Sequence, residues 1–161
     1  MTIKRIVVGV DGSPQSAGAL DWAADLAITT GAEIVAVHAF ELGPYLPGAM
    51  GPPYTMDRGA VANNLLRELS EWCAPLHQRE VAFHTVLREG VAGVELLRVA
   101  AEESADLIVV GSRSRGPLRE LLLGSVAHHV THHATHPVAV VPSRADLATE
   151  RAPTTASRGT A

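Results

Sequence analysis

Short apolar runs rich in β-branched residues alternate along this chain with stretches whose apolar positions recur every three or four residues. Ile6 to Val10 follows Lys4 and Arg5 as an unbroken apolar run, the pattern of a strand buried on both faces. After it, Ser13 is placed to cap a helix and Pro14 to occupy the first helical position. That helix is predicted to reach about Thr29, with Ala17, Leu20, Ala24 and Ala27 facing inward, and Gly31 ends it. Further strands are predicted over Glu33 to Phe40, Val81 to Arg88, Asp106 to Gly111 and Val138 to Val141. Helices are predicted from about Gly59 to His77, with Leu65, Leu69 and Trp72 inward, and from Ala92 to Ser104 around Leu96, Val99 and Ala100. A last one runs from Ser125 to about Thr135, with Val126, Val130 and Ala134 on one side.

Strands that alternate with helices imply right-handed crossovers, hence an α/β fold: an open parallel sheet with helices on both faces. Two stretches interrupt the alternation. Glu41 to Arg58 holds Pro44, Pro47, Pro52 and Pro53 among glycines and is predicted to be irregular, and Ser112 to Ser125 is a loop with an apolar middle. From Ser143 onward apolar residues are few, so 144–161 is expected to be a disordered tail. In open parallel sheets ligands bind beyond the carboxyl ends of the strands, where strand order reverses. That rule selects Val10 to Ser13, Ala39 with Phe40, and Gly111 onward.

Composition narrows the function. The 161 residues suit one domain, and with 47% hydrophobic but only 4% aromatic residues its core must be aliphatic. A formal charge of -4 argues against nonspecific binding to nucleic acid or to anionic membrane. No apolar run is long enough to span a membrane, and no signal segment opens the chain. Cys73 is the single cysteine, which excludes an internal disulfide and points to a reducing, cytoplasmic setting. Lys4 is the only lysine, so no P-loop is present.

The chemistry concentrates in Gly111 to Ser125. Glycine at a strand exit admits close approach by a ligand, and Gly124-Ser125 at a helix start offers N–H groups, a hydroxyl and the positive end of the helix dipole. Arg113, Arg115 and Arg119 add positive charge. The bland alternative is that both glycines serve tight turns and Ser125 is an ordinary N-cap. Asp11 stands between a ligand role and local turn chemistry. His128, His129, His132, His133 and His136 crowd the last helix. His128 and His132 share a face at metal-binding spacing, but no acid or cysteine nearby completes a shell, so no metal site is assigned; His133 is placed at the boundary of the apolar side. Cys73, Trp22 and Trp72 are expected to be packing residues, and Tyr45 and Tyr54 either cover a ligand or ride on a surface loop.

Several motifs in succession resemble the universal stress protein family. They are the opening Ile-Val-Val-Gly-Val-Asp-Gly-Ser, the run Leu-Leu-Leu-Gly-Ser-Val, and the ending His-Ala-Thr-His-Pro-Val-Ala-Val-Val. Between them Gly111, Ser114, Gly124 and Ser125 follow the spacing of the family's nucleotide-binding members, with Ser114 where those carry glycine. The resemblance covers Lys4 to Val141. It implies a family domain over 1–143 with a Rossmann-like sheet, of the adenine nucleotide alpha hydrolase-like kind, ordered 3-2-1-4-5. It also implies an ATP-binding regulator of the stress response, with Mg2+ as a companion of ATP, acting through nucleotide occupancy and dimerisation.

Carried over by residue, Asp11 approaches the ribose or adenine and the Ala39 backbone meets the adenine edge. Val10 and Val110 flank the base, and Gly111, Ser114, Gly124, Ser125 and Val126 line the phosphates. Val138 to Val141 is the expected homodimer edge. The alternatives are a cyclic AMP or AMP binder, a slow ATPase, or a nucleotide-free interaction protein; no catalytic residue pair stands out.

Overall fold

The computed structural model describes residues 2–42, 57–112 and 123–142. Its strands are β1 (Arg5–Gly9), β2 (Glu33–Phe40), β3 (Phe83–Glu89), β4 (Leu107–Gly111) and β5 (Val138–Val141). Its helices are α1 (Pro14–Thr30), α2 (Arg58–Trp72), α3 (Ala74–Gln78), α4 (Ala92–Glu102) and α5 (Ser125–His133). All strand pairs are parallel, in the order β3-β2-β1-β4-β5, as the family resemblance implies.

Strand alternation divides the core between two faces. Ile6, Val8, Ile34 and Ala36 pack with Leu20, Ala24, Leu69 and Leu76 of α1, α2 and α3. Val7, Val35, Val37 and Ile108 pack with Leu96, Val99 and Val130 of α4 and α5. The three inner strands each hold a run of buried residues, whereas every residue of β5 and nearly all of β3 are only half-buried, as edge strands must be. Each Val, Leu or Ile fully withdrawn from water contributes roughly 1.5–3 kcal/mol, so the aliphatic composition suffices for a core with few rings.

Local chemistry sets the ends of α1. Ser13 caps it, its hydroxyl accepting from Ser16 N–H at 3.1 Å, and Pro14 follows at the first position. Gly31, left-handed at φ 73°, ends it by donating to the Ala27 carbonyl. The inner face differs from the expected one: Ser16, Ala19 and Ala23 join Leu20, Ala24 and Ala27, while Ala17 is exposed. The single helix predicted over Gly59 to His77 is two, broken at Cys73 where Pro75 cannot donate to the preceding turn. Cys73 is fully buried at this break, and desolvation pushes its thiol up to about 11. Trp22 is 42% exposed rather than a packing anchor. The first strand begins at Arg5 and ends at Gly9, one residue earlier than expected at each end.

At the amino ends of the strands a charged cluster ties the layers together. Arg5 reaches Glu33 on β2 and Glu103 after α4, and His84 on β3 faces the same two carboxylates at 2.9 and 3.4 Å. Beside it, Asp106 accepts from the N–H groups of Lys4 and Arg5 at 2.7 and 3.0 Å.

Candidate functional site at the carboxyl ends of the strands

From β1 the chain builds outward through β2 to β3, then returns to the other side of β1 to lay down β4 and β5. The two directions part between β1 and β4, where the crossing loops leave a crevice. Its floor is apolar, formed by Val10, Val37, Val110 and Leu96. Gly9 belongs to it for a steric reason, since a Cβ there would stand 3.2 Å from Leu96 Cδ2.

The β1 exit is a tightly bonded turn. The Asp11 carboxylate accepts from the Ser13 N–H at 2.9 Å and from the Ser13 hydroxyl, and Asp11 N–H donates to the Ser16 hydroxyl at 3.2 Å. Gly12 is left-handed at φ 72°, and a Cβ on it would meet the Trp72 ring at 2.6 Å, so only glycine fits. Trp72 in turn presents an edge contact to His38, with ring centres 5.1 Å apart. His38 Nδ1 lies 2.8 Å from the Val10 carbonyl; a carbonyl only accepts, so this nitrogen carries the proton. One chain of contacts thus joins the end of β2, the exit of β1 and α2.

The β4 exit and the start of α5 complete the crevice. A Cβ on Gly111 would lie 2.8 Å from the Gln15 carbonyl oxygen, so glycine here lets the first turn of α1 close down over β4. Ser112 N–H donates to the Val141 carbonyl at 2.8 Å, and Gly124 N–H donates to the Ser112 carbonyl at 2.6 Å. The 112–124 connection is therefore closed at its base. Gly124 is the N-cap of α5 and among the described residues no side chain caps this helix, so Ser125 is its first residue rather than its cap. The leading N–H groups of a helix have no acceptor within it, and they carry the positive end of its dipole. At α5, where the Gly124 N–H is already held by Ser112, they are those of Ser125, Val126 and Ala127, the last two of which line the crevice.

Of the residues singled out from sequence, Val10, Asp11, Ala39, Val110, Gly111, Gly124 and Val126 come together around this crevice. Ser125 is exposed between two of them. Ser114, Arg113, Arg115, Arg119, Tyr45 and Tyr54 lie outside the described residues. Sequence reasoning missed Gly9, Ser16, Val37, His38, Ala92, Leu96 and Ala127. Val37 was within reach, because it shares a strand face with Ala39 two residues on. Ser13 lay within the stretch selected at the β1 exit but was itself read as a helix cap, Ser16 was given no role, and Leu96 was read only as core.

A profile described as the universal stress protein family matches residues 2–142. The chain belongs to the universal stress protein family. The universal stress protein YxiE of Bacillus subtilis is 35% identical to it over 144 residues, covering 85% of this chain and 97% of that protein. A universal stress protein solved in complex with cAMP is 26% identical, with a TM-score of 0.63, over 89% of this chain and 99% of the other. One from Archaeoglobus fulgidus, solved in complex with dAMP, is 25% identical with a TM-score of 0.60, over 88% and 99%. Both universal stress protein ligands are adenine nucleotides with a single phosphate. Among the described residues of this member, no helix is long and apolar enough to cross a membrane.

Proposed function

We propose that this stress-response protein binds an adenine nucleotide in the crevice between β1 and β4 and acts as a regulatory module whose state depends on occupancy. The observation that carries the proposal is the start of α5, which no side chain among the described residues caps, opening on an apolar crevice at the point where strand order reverses. Such a site suits a ligand with a flat apolar base at one end and a phosphate at the other. The cAMP and dAMP complexes of family members support the base and first phosphate.

In this assignment the Ala39 backbone reads the adenine edge, Val10 and Val110 hold the base, and Asp11 meets the ribose. Gly111, Gly124, Ser125 and Val126 receive the phosphates, with Ser114 beside them. ATP, with Mg2+ on its phosphates, is the first ligand to test because the Gly124-Ser125 pair is intact at the family's spacing. AMP and cyclic AMP are the second reading, favoured by the two complexes. Dimerisation through β5 would convey occupancy to a second subunit.

Calorimetric titration with ATP, AMP, cyclic AMP and GTP, with magnesium, tests the proposal, using Gly124→Ala as control. Gly124 has an ordinary backbone at φ -69° and ψ 162°, so the added methyl alters space beside the phosphates without straining the chain. Saturable heat with an adenine ligand, weakened at least about tenfold in the variant and absent with GTP, is the expected outcome. No heat with any adenine ligand would refute it and leave a protein-interaction role in its place.

A further inference from the structure

Helix α5 carries two pairs of histidines one turn apart, and the structure gives them different work. His129 is half-buried against α4, where a Cβ on Gly93 would stand 2.8 Å from its ring. His133 stacks on His129 with ring centres 4.4 Å apart, and its Nδ1 lies 2.9 Å from the His129 carbonyl oxygen. His133 itself is exposed, so His129 is the boundary residue that the sequence had assigned to His133. This pair is committed to packing and to its own helical turn.

The other pair has no such occupation. His128 and His132 are both exposed, with ring centres 4.4 Å apart and planes inclined at 42°. Among the described residues neither imidazole takes part in a hydrogen bond or ion pair. We infer that His128 and His132 form a two-imidazole chelate for a borderline divalent transition-metal ion, of the class of Zn2+, Ni2+ or Cu2+, on the outer face of α5.

Imidazole nitrogen binds such ions at about 2.0–2.1 Å, and rings one turn apart can turn their nitrogens to one ion. Because a helix holds the second ring in place, it binds at high effective concentration once the first has engaged. His132 also lies in the last turn of α5, where the negative end of the helix dipole favours a cation. No group of three or more potential ligands occurs among the described residues, so water or an outside ligand completes the coordination. Mg2+ and Ca2+, which require oxygen ligands, are not accommodated. The site is thus separate from any Mg2+ carried by a nucleotide.

Calorimetric titration of the untagged full chain with Ni2+ and with Zn2+ tests this, alongside His128→Gln, His132→Gln and His136→Gln. His128 and His132 are exposed and His136 is half-buried, and circular dichroism verifies that each variant keeps the fold. One equivalent should bind, at least about tenfold more weakly in either chelate variant and nearly unchanged in His136→Gln. Electron paramagnetic resonance of the Cu2+-loaded wild-type protein should show two imidazole nitrogens, independently of any variant. A single nitrogen, or affinity that ignores His128→Gln and His132→Gln, would overturn the inference. So would an equal loss in His136→Gln, since binding would then belong to the histidine-rich segment at large.

Discussion

At Ser13 one buried hydroxyl serves both ends of a turn, accepting from Ser16 N–H and donating to the Asp11 carboxylate. Ser13→Ala removes the cap of α1 and one of the Asp11 contacts together. Loss of a serine cap costs about 1–2 kcal/mol, and thermal or urea unfolding should register a destabilisation of that order. The same variant should weaken adenine-nucleotide binding, because Asp11 loses one of the contacts that orient it. Acid sensitivity is set at the other end of the strands. Hydrogen bonds from Lys4 and Arg5 N–H hold Asp106 below its ordinary carboxylate value, and chiefly the hydrogen bond from His84 does the same for Glu33. Because both folded-state values are depressed, their stabilisation is complete above the ordinary carboxylate range and is lost as pH falls through the lowered values. Melting temperature should therefore drop on acidification, and Asp106→Asn, which cannot titrate, should flatten that fall.

Elements were legible in the sequence where one physical rule acted alone. The runs at β2 and β5 were bounded correctly because Gly31, Pro137 and Pro142 punctuate them. The break between α2 and α3 escaped the periodicity, although Pro75 marked it, because Leu69 and Leu76 remain on one buried face across it. Likewise Ala17 obeys helical spacing but lies on the outer side, since alanine at every third or fourth place fits more than one face. In the site, Gly111 and Gly124 could be read, whereas the contacts that shape it could not. No spacing reveals that Gly12 lies under Trp72 or that Gly111 lies under Gln15, because those partners come together only when the sheet closes. At β5 the ladder supplies a further prediction. Ile108 and Ser112 donate to the carbonyls of Pro137 and Val141. Alternate residues of a parallel strand face the same neighbour, so Val140 turns its backbone N–H outward. Val140→Pro should leave the β4 pairing intact and shift the proposed edge-paired dimer to monomer, as measured by sedimentation or light scattering.

Across the whole molecule, the two ends of the sheet do different work. The amino ends of the strands are closed by the ion pairs of Arg5 with Glu33 and Glu103, with His84 facing the same two carboxylates. The carboxyl ends converge on an apolar crevice and the start of α5. Helix α5 is likewise divided, its start facing the crevice and its outer face carrying His128 and His132, the inferred metal chelate. Backbone amide chemical shifts, followed by NMR while ATP and magnesium are added, test this division most directly. The account predicts saturable shifts at Gly9, Gly12, Ala39, Gly111 and Gly124 to Ala127, with Arg5, His84 and Asp106 unmoved. Silence at the crevice with ATP, AMP and cyclic AMP alike, or shifts confined to the amino ends of the strands, would contradict it.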